Sequence, residues 1–67
     1  MKSVSGKVLC RVLERAGWFL DRVVGSHHIY FKTGYAPVSV PVHGNKSLGK
    51  GLQRRLMRQT GLTDDDL

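Results

Sequence analysis

The chain has 67 residues, 40% of them hydrophobic, which allows one domain with a modest core and excludes a large multidomain enzyme. Eleven Lys and Arg against five Asp and Glu give a formal charge of +6, a balance that favours a polyanionic partner over a basic surface kept for solubility. A single cysteine, Cys10, excludes an intramolecular disulfide, and no apolar run approaches the length of a membrane span. Residues 1–7 also lack the apolar core and small-residue cleavage site of a secretory leader, so the expected compartment is the cytoplasm.

The first element is a helix. Ser5 is a suitable cap, Val8, Leu9, Val12, Leu13 and Ala16 follow at helical spacing, and Gly17 stops the run. This predicts a helix over 6–16 with Leu9, Val12, Leu13 and Ala16 as its buried stripe. Cys10 falls within it, far in sequence from any histidine, and reads as a small structural side chain. From Trp18 to Val42 the period becomes two and aromatic and β-branched residues dominate. Strands are predicted over 18–24, 27–32 and 36–42, joined by a tight turn at Gly25-Ser26 and a second at Thr33-Gly34-Tyr35, as an antiparallel meander. Pro37 and Pro41 lack a ladder donor, which places the third strand at an edge.

His43-Gly44-Asn45 breaks the pattern, and Asn45 or Ser47 is placed to cap a second helix. Leu48, Leu52 and Leu56 recur every four residues and Gly61 ends the segment, predicting a helix over 48–60. Gly49 and Gly51 weaken its start by roughly 1 kcal/mol each relative to alanine. Thr63 is placed to cap one more turn through Asp64, Asp65 and Asp66, the alternative being a frayed end. The expected fold class is α+β: a single domain ordered α-β-β-β-α, with two helices burying their stripes on one face of a three-stranded antiparallel sheet.

Alternation then sorts the strand side chains into faces. His27, Ile29 and Phe31 share one face of the second strand, and His28, Tyr30 and Lys32 share the other. In the third strand Val38, Val40 and Val42 oppose Ser39, Pro41 and His43. The faces rich in Ile, Phe and Val are expected beneath the helices. That would leave His28, Tyr30 and Lys32 on the open face, with His43 nearby at the strand end; a bulge at Gly25-Ser26 would exchange the two histidines. Imidazole titrates near neutrality and can take or give a proton at physiological pH. In RNA the 2′-hydroxyl is an internal nucleophile beside the phosphate, so a base and a few cations suffice for cleavage. Taken alone, a tandem histidine reads more readily as polar strand surface than as a catalytic site.

No acidic residue occurs from 22 to 63, so the carboxylates of a two-metal nuclease are missing there, and adjacent histidines on opposite faces cannot share an ion. No metal or other cofactor is expected. Lys46, Lys50, Arg54 and Arg58 instead recur every four residues, opposite the leucines, with Arg55 beside the apolar stripe. Such a ridge can follow phosphates, and the glycine-rich helix start offers backbone donors to one more.

Gly25-Ser26-His27-His28-Ile29-Tyr30 resembles the glycine-serine-histidine motif of HicA-type toxins, also called the YcfA-like family. Pro41-Val42-His43-Gly44-Asn45-Lys46 resembles that family's second motif, and Ser5-Gly6-Lys7 and Ala16-Gly17-Trp18 resemble its usual start, so the likeness spans about residues 3–63. The resemblance implies a double-stranded-RNA-binding-domain-like fold and an endoribonuclease that cleaves mRNA without metal and is held by a HicB-type antitoxin. It places the catalytic histidine at the second position after Gly-Ser, which is His28, with Gly25 and Ser26 as the turn before it. His43 and His27 are candidate acid–base partners. Gly25, Ser26, Tyr30, Lys32, Lys46, Lys50, Arg54 and Arg58 are the expected RNA contacts. The chain departs from the family in carrying Gly51-Leu52-Gln53 where Gly-Thr-Leu is usual.

A second reading remains open on the same residues: a non-catalytic RNA-binding module, which uses shape and backbone recognition and tolerates loss of His28. A DNA-associated protein ranks last, because no helix presents base-reading Asn or Gln in a recognition pattern.

Overall fold

A computed structural model describes residues 1–67. Ser5 is extended and its Oγ accepts a hydrogen bond from the Val8 amide at 3.1 Å, starting helix α1, Gly6–Arg15. Gly17, with φ of +94°, lets the chain leave the helix and turn at once into the sheet. Strand β1 is Phe19–Val24, β2 is His27–Phe31 and β3 is Val38–Pro41, in the order β1-β2-β3 and antiparallel throughout. The hairpin between β1 and β2 has Gly25 at φ +60° followed by Ser26, the pattern of a tight turn with glycine first. The proline-bearing β3 lies at an edge, as the missing donors require.

Helix α2 is Lys50–Thr60, two residues shorter at its start than the leucine spacing predicts. The reason is Gly49, whose φ of +87° lies outside right-handed helix, so neither Leu48 nor Gly49 can belong to it. No side chain caps this helix; the Ser47 hydroxyl accepts instead from the Gly49 amide at 3.2 Å. Gly61 in the left-handed region ends α2, and a short 3₁₀ turn over Asp64–Asp66 follows. That turn is ordered by Asp66, whose carboxylate accepts from the Thr63 amide at 2.7 Å. The architecture is thus α+β, α-β-β-β-α, with no helix long and apolar enough to cross a membrane.

The core joins Leu9, Val12 and Leu13 of α1 to Leu56 and Met57 of α2, Val38 and Val40 of β3, Tyr30 of β2, and Val4, Trp18 and Leu62. Cross-strand register decides which side of the sheet they cover. Tyr30 stands opposite Val38 and His28 opposite Val40, and directly paired residues share a face. Tyr30 and His28 therefore lie under the helices, while His27, Ile29 and Phe31 lie on the open face. This reverses the expectation for β2. Its two faces are each a mixture of apolar and polar groups, so hydrophobic pattern alone cannot choose between them; the all-valine face of β3 chooses for it.

The sheet is also covered unevenly. Every residue of β1 is exposed, and a bulge at Asp21 shifts its register, Leu20 pairing Tyr30 and Arg22 pairing Ile29. The open face consequently carries Phe19 at 70% exposure beside its partner Phe31 at 48%, with Val24 at the other end of β1.

Candidate functional site

Contacts at both ends orient α1 over the sheet. At its start, Gly6 is so close to β3 that a Cβ there would meet the Pro41 carbonyl oxygen at 2.0 Å. Towards its end, the Tyr30 hydroxyl donates to the Glu14 carboxylate at 2.6 Å and the Lys32 ammonium donates to the Ala16 carbonyl at 2.8 Å. The helix thus begins above the end of the sheet where β2 begins, the His27–His28 end. The entry to α2 meets it there: Ser5 forms a β-bridge with Ser47, the Leu48 amide donates to the Val4 carbonyl at 3.0 Å, and the Leu48 side chain lies against Gly6.

His28 occupies this end of the sheet on the helix side, half-buried, between Val23 of β1 and Val40 of β3. Exposed Lys7 stands in the first turn of α1, exposed Lys46 and Lys50 lead into α2, and neither helix has an acidic residue in its first turn. Helix starts carry partial positive charge and free amides, so the arrangement favours an anion near His28. The imidazole supplies the group able to move a proton there.

The remaining sequence candidates are distributed differently. His27 faces the opposite side, exposed, its Nδ1 3.0 Å from the Ser39 hydroxyl. His43 is exposed beyond β3, where its carbonyl accepts from the Lys46 amide and closes the turn through Gly44. Gly25 and Ser26 shape the hairpin, and the Ser26 carbonyl accepts from the Val42 amide at 2.8 Å. Tyr30, expected on the open face, is only 1% exposed and offers no surface to a ligand. Burial, followed by its hydrogen bond to Glu14, pushes its phenol far above the ordinary value, so it stays protonated. Burial likewise pushes the Cys10 thiol up, which suits a structural side chain and not a nucleophile. Lys32 is not on the open face either: it ties down the end of α1 and lies 5.3 Å from the Tyr35 ring centre.

Lys50, Arg54, Arg55 and Arg58 are exposed on α2, and none forms an ion pair; the one salt bridge in the protein joins Arg22 to Asp21. Lys46 precedes the helix but continues the line of positive charge. No three His, Cys, Asp or Glu side chains come together in a cluster able to hold a metal ion.

Sequence reasoning missed Gln53. Its side chain is fully buried, its carbonyl accepts from the Val4 amide at 3.0 Å, and its amide donates to the Lys2 carbonyl. It stitches the N-terminal segment to α2 and so fixes the junction beside His28. The signal was available: Gln53 lies one position after Leu52 and three before Leu56, which puts it beside the buried stripe.

A family model described as HicA toxin of bacterial toxin–antitoxin matches residues 6–62 of the chain. No curated protein matches it.

Proposed function

Since the chain belongs to the HicA toxin family and is thereby the toxin half of a toxin–antitoxin pair, we propose that it acts in the cytoplasm as a metal-independent endoribonuclease on mRNA, with His28 as its acid–base catalyst. The observation that carries this reading is the position of His28, half-buried at the one place where the cationic starts of both helices meet the sheet. The 2′-hydroxyl of a bound nucleotide loses a proton, its oxygen bonds to the adjacent phosphorus, the bond from phosphorus to the 5′-oxygen breaks, and that oxygen takes up a proton. His28 performs one of the two proton transfers. Lys7, Lys46 and Lys50 offset the charge that develops on the phosphate oxygens. The products are a 2′,3′-cyclic phosphate and a 5′-hydroxyl end.

The antitoxin partner of such a toxin is, on this reading, a HicB-type protein. The simplest physical requirement on it is an acidic surface that covers the cationic helix starts together with His28.

The test is cleavage of single-stranded RNA in excess EDTA by folded wild type and by the His28→Ala, His27→Ala and His43→Ala variants. Cleavage lost only in His28→Ala, with cyclic-phosphate ends, supports the assignment. Equal cleavage by wild type and His28→Ala moves the chemistry to another histidine. RNA binding with no cleavage by any protein returns the chain to the binding-module reading, and 3′-hydroxyl ends rule out attack by the 2′-oxygen.

A further inference from the structure

A groove of about 480 Å³ lies at the far end of α2 from His28, between the last turns of that helix and the 3₁₀ turn. Arg54 and Arg58 of α2 line it together with the apolar side chains of Met1, Met57 and Leu62, and Thr63 and Asp64 complete the lining. Met57 and Leu62 are held in the core at 6% and 9% exposure, and Met1, 46% exposed, presents most of the apolar surface of the groove. The two arginines are four residues apart on one helix, which sets their Cβ atoms about 5–6 Å apart on the same face. Neither has an acidic partner within salt-bridge distance, although Asp64 also lines the groove.

Two guanidinium groups beside an apolar lining match one chemical class of ligand, a nucleotide. A phosphate accepts from both forks, and the ribose or base packs on the apolar lining at Met1. Asp64 disfavours a second phosphate beside it and can accept from a ribose hydroxyl or an exocyclic amine instead. We propose that this groove is a remote nucleotide subsite: it holds one nucleotide of the RNA strand whose scissile phosphate lies at His28. This inference rests on the ribonuclease reading above. The geometry also sets the distance. The entry to α2 lies at the His28 end, and Gly61 approaches Tyr35 at the opposite end of the sheet. From Lys50 to Arg58 the helix advances about 12 Å. A strand of several nucleotides therefore reaches from the helix start to Arg58 more readily than a dinucleotide does.

The subsite predicts a dependence on RNA length. Cleavage by wild type and by the Arg54→Ala/Arg58→Ala double variant would be measured on a dinucleotide and on a twelve-nucleotide RNA, with folding checked by circular dichroism. The expected result is a KM raised about tenfold on the long RNA with kcat unchanged, and a clearly smaller rise in KM on the dinucleotide. The Arg54→Lys/Arg58→Lys variant should recover only part of the loss, because lysine keeps the charge and not the fork. In parallel, adenosine 5′-monophosphate and inorganic phosphate would be titrated into the full chain by NMR. The nucleotide should shift the resonances of Arg58, Leu62 and Thr63, more strongly than phosphate, and the double alanine variant should abolish the effect. Equal KM values for wild type and double variant on the long RNA overturn the subsite. So do nucleotide shifts no larger than those from phosphate. Nucleotide shifts at the groove with no RNA cleavage by wild type would instead overturn the ribonuclease reading and leave nucleotide binding at the groove standing.

Discussion

Replacing Gly6 by alanine sets helix propensity against packing, and the structure says which prevails. A glycine-to-alanine change in a helix ordinarily stabilises by up to about 1 kcal/mol, because glycine loses more backbone freedom on folding. At Gly6, however, the new Cβ would lie 2.0 Å from the Pro41 carbonyl oxygen and 3.0 Å from its carbon. Real Cβ contacts essentially never fall below 3.0 Å, so α1 must withdraw from β3 by about 1 Å. The obstacle is backbone, which cannot swing aside as a side chain would. A gap of that size forfeits about a quarter to a half of each close contact, and Leu9 and Leu13 share the affected interface. Overpacking of this kind costs about 1–3 kcal/mol, more than propensity returns at the first position of a helix. For a chain of this size each kcal/mol moves the Tm by about 4–8 °C. Thermal unfolding followed by circular dichroism should therefore show Gly6→Ala melting several degrees below wild type. A Tm equal to or above wild type would refute the close approach of α1 to β3, and with it the junction that positions His28.

Gln53→Leu keeps the size and helix propensity of the side chain, yet it should destabilise the protein by about 1 kcal/mol or more. It leaves the buried Val4 amide without an acceptor. Urea denaturation checks this, and a leucine variant at least as stable as wild type would dispose of the clamp. Tyr30 predicts a loss of stability in alkali. Its folded pKa is raised above the ordinary value of 10.0, so the folded state holds a proton that the unfolded state releases. Its contribution is intact below about pH 10 and falls by up to about 1.4 kcal/mol for each pH unit above it. Tyr30→Phe should remove that slope, at a cost near neutrality of about 1 kcal/mol for the lost bond to Glu14; a variant that keeps the full alkaline slope would show that another group causes it. Finally, in a His28→Ala background that binds RNA without cutting it, replacing Lys50, Arg54 or Arg58 by alanine should each reduce the slope of log affinity against log salt by about 0.7. Unchanged slopes would take the α2 ridge out of the RNA-binding surface.

The order of elements was legible because it rests on local signals: the helical spacing of Leu9, Val12 and Leu13, the two-residue period after Trp18, and glycines where the chain must take a positive φ. Charge was legible for a similar reason. Lysines and arginines at four-residue spacing opposite the leucines must point outward, and Lys50, Arg54 and Arg58 do. The motif around Gly25 and His28 was visible as a resemblance, and its turn forms where the glycine requires it.

What the sequence could not decide was the side of the sheet on which each strand residue falls. Local alternation says that His27 and His28 part company, but not which of them meets the helices. That choice is made by long-range pairing, which sets Tyr30 opposite Val38 and His28 opposite Val40, and by Glu14 on α1, which gives the buried Tyr30 hydroxyl a partner. The Gly6–Pro41 approach and the Gln53 clamp likewise join segments 35 to 51 residues apart. Propensity and period act over a few residues along the chain. The surroundings of His28 are instead assembled by contacts between segments far apart in sequence, which only the tertiary structure brings together.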